Sequence, residues 1–282
     1  MNTHDLATAS VWMAAGRPAV VVEVVEARGS VPRERGTRMV VARDAVLGTI
    51  GGGHLELKAI EEARSMLCEA DAKPRRTHYP LGPALGQCCG GAVTLGFERL
   101  DAQSLARWPR SQPRIHLQLY GAGHVGRAIA RLLATLDVRV QWIDERDDEF
   151  PEAGWFAGGQ WPAHIEKTSV DAVEAEVRHA PAGAFYLVLT HNHDLDLRIT
   201  EAVLRRADFA YLGLIGSRTK RQRFVHRFEA RGIGADVMGR MTCPIGIEGI
   251  TGKEPEVIAV AVVSQLLQCA SMSASSMALK TH

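Results

Sequence analysis

The hydrophobic pattern of the first hundred residues mixes helix-spaced and strand-like runs. Residues 5–15 have helical spacing, and Pro18 leads into the β-branched run Ala19-Val20-Val21-Val22-Glu23-Val24-Val25, which predicts a strand. The chain turns at Arg28-Gly29-Ser30, and short strands are expected at 37–42 and 45–50. Gly51-Gly52-Gly53 then opens a helix over 54–69, in which Leu57, Ile60, Ala63 and Leu67 fall at the spacing of a buried face. Strands near 76–79 and at 92–97 flank the loop Gly86-Gln87-Cys88-Cys89-Gly90-Gly91.

From residue 114 the rhythm changes. A strand at 115–120, a helix at 125–136 and a strand at 138–143 are followed by strand 185–190, helix 195–206, strand 211–215 and helix 219–231. Such alternation predicts a parallel sheet with crossover helices. Residues 101–113 hold two prolines, two serines and several charges without a period, as a connector would. The expected fold is therefore α/β: a smaller N-terminal α/β domain over 1–100 with the Cys-Cys loop, a linker over 101–113, and a C-terminal Rossmann-type parallel-sheet domain over 114–282. A mostly apolar helix is expected over 254–268, with Pro255 in its first turn, and 271–282 should fray.

Composition narrows the function classes. The 282 residues exceed the usual size of one domain, and 46% hydrophobic with 23% charged residues is the balance of a soluble globular chain. With 33 basic against 32 acidic side chains, no long-range field gathers nucleic acid or anionic lipid, so neither is an expected partner. No stretch reads as a secretory signal or as a bilayer span, which points to the cytoplasm. Five cysteines, Cys68, Cys88, Cys89, Cys243 and Cys269, make an odd number without framework spacing, as reduced thiols would. Cys68 and Cys269 fall in helical segments and are expected in cores.

Several motifs carry candidate chemistry. Gly121-x-Gly123-x-x-Gly126 follows an apolar strand and opens a helix, and Asp144 closes the next strand at the distance of a ribose-binding carboxylate. The other reading is close helix–strand packing, with Asp144 a solvated acid. Gly51, Gly52 and Gly53, followed by His54 and Glu56, suit a phosphate before a helix or an ordinary glycine turn. Cys88-Cys89 offers adjacent thiols to a soft or sulfur-bearing metal centre, or is simply buried; no second pair completes a zinc site. Thr190-His191-Asn192-His193-Asp194 ends a strand where open α/β sheets bind ligands, so His191 and His193 are acid–base groups or ligands, or else loop residues before a helix capped by Asp194. Ser217 and Arg218, with Lys220, either meet a phosphate or start a helix.

Taken in order, Gly29-Ser30-Val31-Pro32-Arg33, Gly36-Thr37-Arg38-Met39, Ile50 to Glu56, Gly86 to Gly91, Gly121 to Arg127, Thr190 to Asp194, Gly213 to Lys220 and Pro244-Ile245-Gly246 resemble the xanthine dehydrogenase accessory protein family, XdhC, over nearly the whole chain. The resemblance implies a molybdenum-cofactor chaperone. Such a protein binds molybdopterin-type cofactor, supports its sulfuration by a cysteine desulfurase, and hands it to the apo form of a molybdenum hydroxylase such as xanthine dehydrogenase. On that implication Cys88 and Cys89 lie at the metal, the glycine turns hold phosphate, with a nucleotide also accommodated at the Gly121 turn, and Arg33 and Arg38 neutralise the charge. Two other readings stay open: an NAD(P)-dependent oxidoreductase, from the Gly121 turn and Asp144, and an assembly factor that docks on the hydroxylase without holding cofactor. The residues form no complete catalytic constellation, which favours an accessory protein over an enzyme, and the oligomeric state is left between monomer and homodimer.

Overall fold

The computed structural model describes residues 3–81, 91–108, 113–156 and 159–278, and the chain divides into two compact units, Met1–Ser111 and Gln112–His282. The first unit is built on β1 (Ala19–Arg28), β2 (Arg38–Ala42), β3 (Val46–Gly48), β4 (Arg75–Pro80) and β5 (Ala92–Arg99), antiparallel throughout in the order β3-β2-β1-β5-β4. Helix α2 (Gly53–Leu67) covers the face formed by Val20, Val22, Val24, Met39 and Val41. Its buried positions are Leu55, Ala59, Ala63 and Met66, not the face centred on Leu57, which is 52% exposed. Two alanines at the contact let the helix lie close to the sheet. That turns Ile60 and Leu67 to the flank of the core.

The other face is partly covered by α1 (Thr3–Ala14) and α3 (Ala102–Ala106), which set Trp12 and Trp108 against Val21 and Val40. Helix α3 lies inside the stretch whose composition suggests a connector. A reciprocal cap explains it: Ser104 N–H donates to Asp101 Oδ1 at 2.7 Å, and Asp101 N–H donates to the Ser104 hydroxyl at 2.9 Å.

The second unit carries β6 (His116–Tyr120), β7 (Arg139–Asp144), β8 (Ile165–Ser169), β9 (Phe185–Val188), β10 (Tyr211–Leu214) and β11 (Met241–Thr242) in one parallel sheet, ordered β11-β10-β9-β6-β7-β8. Counted within the unit, this is the doubly wound order of a Rossmann-type fold, reversing between β6 and β9. Both faces are covered, so the central strands are buried almost throughout. Helices α4 (His124–Leu133) and α8 (Pro255–Ala278) pack over Leu117, Leu119, Trp142 and Leu187. Helices α5 (His193–Arg206), α6 (Arg218–Ala230) and α7 (Ala235–Gly239) close the side of Tyr120, Tyr186 and Val188.

Helix α8 corrects two expectations. It runs past residue 268 to Ala278 through small residues, with no glycine or proline to stop it. Its window Pro255–Met272 is also long and apolar enough, by length and composition, to cross a membrane. In this fold that helix buries Ala259, Val262 and Leu266 in the core shared with α4. Of the two cysteines expected in cores, Cys68 instead caps α2 and is exposed, whereas Cys269, within α8, packs half-buried against the core; Cys243 is buried.

Replacing Asp101 by alanine removes the α3 cap while touching no core side chain. A loss of about 1 kcal/mol in urea-unfolding free energy is expected, and an unchanged unfolding curve would refute this account of α3.

Candidate functional site

The carboxyl ends of β6, β7, β9 and β10 bring most of the sequence motifs of the second unit to one edge of the sheet. Strand β6 delivers Gly121, at φ 119°, into a turn fixed to β7: Gly121 N–H donates to the Ile143 carbonyl at 2.8 Å, and the Trp142 indole donates to the Gly121 carbonyl at 2.9 Å. A Cβ on Gly121 would overlap the Leu189 carbonyl, and one on Gly126 would overlap the Gly121 carbonyl, whereas Gly123 has no heavy atom within 4 Å of that position. The outer two glycines are thus needed for packing and the middle one faces open space. Gly123 is also the N-cap of α4, without a side-chain cap. The leading N–H groups of α4 therefore point outward under a helix dipole that favours an anion.

Asp144 braces this turn. Its Oδ2 accepts from Ala122 N–H at 2.7 Å and Arg146 Nη2 at 3.0 Å, and its Oδ1 accepts from the Arg146 N–H and Nε, each at 3.0 Å. Four donors occupy a buried carboxylate, leaving it no free position for a ribose hydroxyl. Burial pushes this carboxyl up, but the Arg146 guanidinium and the Ala122 and Arg146 N–H groups outweigh it, and its pKa lies below the ordinary value.

A second anchor lies beyond β9. Asp196, fully buried, accepts from Thr190 N–H at 3.0 Å and the Thr190 hydroxyl at 2.7 Å through Oδ1, and from Lys220 Nζ at 2.6 Å through Oδ2. Lys220 also donates to the Ile215 carbonyl at 2.8 Å, so its charge is engaged within the fold rather than open to phosphate. Asp196 was not singled out in the sequence, although a carboxylate between Leu195 and Leu197 on an otherwise apolar helix face was the available signal. Helix α5 is capped by Asn192, whose Oδ1 accepts from Asp194 N–H at 2.8 Å and Leu195 N–H at 3.3 Å; Asp194 is not the cap. His191 Nε2 lies 3.5 Å from Glu145 Oε1, a partner the sequence did not suggest, and His193 is exposed at the start of α5. Ser217 caps α6, accepting from Lys220 N–H at 3.2 Å, and Arg218 is exposed beside it.

In the first unit the glycine turn has a protein occupant. Glu56 Oε2 accepts from Ile50 N–H at 3.0 Å, Gly52 N–H at 3.1 Å and the Thr49 hydroxyl, while Gly51 N–H donates to Thr49 Oγ1 at 3.0 Å. A carboxylate thus fills the cradle expected at Gly51, Gly52 and Gly53, leaving His54 exposed beside it. Arg38 is buried, 2.7 Å from Glu23, donating to the Arg107 carbonyl at 3.1 Å and lying over Trp108, so it is not free to neutralise a ligand. Arg33 is exposed, next to Pro32, which packs against Gly51. Cys88 and Cys89 lie outside the described residues. On either side of that segment, Leu81 N–H donates to the Gly91 carbonyl at 2.8 Å, and Gly91 packs against the Arg28 and Ser30 carbonyls too closely for any Cβ. Among the described residues no three His, Cys, Asp or Glu side chains gather as a metal centre.

A doubly wound sheet with an open glycine turn at its reversal point defines the second unit as a Rossmann-type domain. Residues 117–266 match the XdhC Rossmann domain and residues 12–80 match the XdhC and CoxI family, and the chain belongs to the XdhC family. It is 32% identical over 259 residues to YqeB, an uncharacterized protein of Escherichia coli K12, covering 89% of this chain and 43% of that protein. The chain therefore spans less than half the length of this relative. A crystal structure described as a xanthine dehydrogenase from Bacillus halodurans has the same fold, with a TM-score of 0.72, 19% identity and 96% of each chain covered.

Two predictions follow from the turn. Gly126→Ala is expected to destabilise by about 1–3 kcal/mol or more through overlap with the Gly121 carbonyl, whereas Gly123→Ala stays within about 1 kcal/mol; equal effects in chemical denaturation would contradict the division of roles. For Asp144, a lowered native pKa stabilises the fold fully above the unfolded carboxylate value of about 3.9, and this is lost as pH falls through the lower native value. Unfolding free energy measured from pH 6 to pH 3 should fall less steeply in Asp144→Asn than in the wild type.

Proposed function

We propose that this protein holds a phosphate-bearing cofactor of molybdopterin type in the cytoplasm, supports its sulfuration by a cysteine desulfurase, and delivers it to a molybdenum hydroxylase of the xanthine dehydrogenase kind. Membership of the XdhC family supports a maturation role. The observation that carries the binding step is the N-terminus of α4, with an open Gly123 and no side-chain cap at the reversal point of the sheet. That cradle fits a phosphate without any cationic side chain, through backbone N–H groups and the helix dipole.

The bound cofactor supplies the molybdenum centre used by the hydroxylase. This chain's part is to bind and orient it. Gly121 and Gly126 set the turn, and Asp144 and Arg146 hold it; taken from the sequence alone, Cys88 and Cys89 are thiols whose softness suits molybdenum or its sulfur ligand. His191 and Arg218, exposed on the same sheet edge, are available to the rest of the ligand. The four donors on Asp144 weigh against a nicotinamide dinucleotide, whose ribose needs that carboxylate.

Purified protein mixed with free cofactor and passed through gel filtration should co-elute with molybdenum, measured by metal analysis. Absence of co-elution would sink this reading in favour of a factor that only docks on the hydroxylase. Gly123→Asp is the sharper variant. It places a good N-cap carboxylate where the phosphate would sit, so it should cut retention at least tenfold while melting temperature stays level or rises. Changing both Cys88 and Cys89 to alanine should lower retention and hydroxylase activation, and titration with NADH or NADPH should show no saturable binding.

A further inference from the structure

Beyond the Rossmann-type edge, the first unit has a groove of about 840 Å³ on the sheet face opposite α2. The strand register builds it. One row across the sheet reads Arg38 on β2, Glu23 on β1, Gly96 on β5 and Arg76 on β4, because Arg38 pairs with Glu23, Glu23 with Gly96, and Gly96 with Arg76. Strands lie about 4.8 Å apart, so the missing side chain at Gly96 leaves a gap one strand wide between Glu23 and Arg76. Arg35 reaches the same groove from the turn before β2. That turn is tied to β1 at its bulge, where Gly36 N–H donates to the Val24 carbonyl at 2.8 Å and Val24 N–H donates to the Thr37 carbonyl at 2.9 Å.

The charges in this groove do not cancel. Glu23 is committed to Arg38, Glu98 to Arg107 and Glu26, at 3.9 Å, to Arg28, and Arg75 pairs with Glu62 and Glu69 away from the row. Arg35 and Arg76 are exposed, line the groove, and have no carboxylate within ion-pair distance among the described residues. An ordinary solvated sheet face is flat, with its charges dispersed; this one is concave at a glycine, with two planar guanidinium forks at its walls. Such forks match the paired oxygens of a phosphoryl group, and the volume is that of a small-molecule site.

We propose that this groove binds a phosphate- or pyrophosphate-bearing small molecule through Arg35 and Arg76, over the floor formed by Gly96. The proposal does not rest on the cofactor reading, since it concerns other residues and a different surface. Titration calorimetry of the full chain with inorganic pyrophosphate tests it. The wild type should bind saturably, each of Arg35→Ala and Arg76→Ala should weaken binding several-fold, and the double variant should weaken it at least tenfold. Both side chains are exposed, so melting temperatures should not move.

Gly96→Val offers a second route that leaves both arginines in place. A Cβ there comes 3.2 Å from Val25 Cγ1, a contact that a small shift relieves, and valine suits a strand. It should block binding by filling the floor. Undetectable binding to the wild type overturns the proposal. So does a loss caused by Gly123→Asp or Arg218→Ala with none from the Arg35 and Arg76 variants, which would place the anion on the second unit. Replacing pyrophosphate with a nucleoside monophosphate separates the sources: affinity at least tenfold tighter assigns the groove to a phosphorylated heterocycle, and equal affinity assigns it to the free anion.

Discussion

The close backbone approach of Gly121 to the Leu189 carbonyl sets the geometry of the second unit's candidate site. Where the strand order reverses, the chain leaving β6 must pass the end of β9 before turning into α4. Only a residue without Cβ passes there, and the turn is then tied to β7 through Ile143, Trp142 and Asp144. Helix α4 therefore starts from a point fixed on both sides, with its first N–H groups directed away from the sheet. The open space at Gly123 is a consequence of that tight packing, since the adjoining glycines hold the backbone in place.

The two glycine-rich turns of this chain look alike in sequence and differ in what fills them. At Gly51 to Gly53 the Glu56 carboxylate reaches back to Ile50 and Gly52 N–H, giving the turn its own anion. At Gly121 to Gly126 the nearby carboxylate, Asp144, binds beneath the turn and leaves the α4 terminus uncapped. An internal carboxylate competes with any external phosphate for the same donors, so only the second turn keeps its donors for a ligand. Beyond it, the buried Asp196–Lys220 pair joins Thr190 to Ile215 and holds the ends of β9 and β10 together. Breaking such a pair by removing one partner costs about 3–5 kcal/mol, which makes Lys220 a member of the scaffold.

Much of this was legible in the sequence wherever a long apolar period or a strand–turn–helix signature was present. The alternation from Ile115 onward and the spacing of Gly121, Gly123 and Gly126 were sufficient for the Rossmann-type sheet. Strands β8 and β11 escaped notice because one is a largely exposed edge, Ile165–Ser169, and the other is two residues long. The buried face of α2 was expected correctly at Ala63 but centred wrongly, because size favoured Leu57, which is exposed, while close packing on a sheet favours Ala59. Site chemistry was harder to read. Whether Arg38, Asp144 or Lys220 is free for a ligand depends on Glu23, Arg146 and Asp196, and only Asp144 and Arg146 are near neighbours in sequence.

In a chain with 33 basic and 32 acidic side chains, the same pairings decide where the two proposed anion sites lie. Near neutrality removes the long-range field, so attraction must be local. Most charges on these surfaces are spent on one another, as Arg38 is on Glu23, Arg107 on Glu98 and Arg146 on Asp144. The two proposed sites lie where this compensation stops, and it stops in two chemically different ways. At α4 the donors are backbone N–H groups carrying fixed partial charge, which are preorganised by the fold and little affected by pH. In the sheet groove they are the side chains of Arg35 and Arg76, which are exposed and therefore screened by salt. Anion binding at the groove should consequently weaken more steeply with ionic strength than binding at the helix terminus, so salt dependence separates the two sites within one protein.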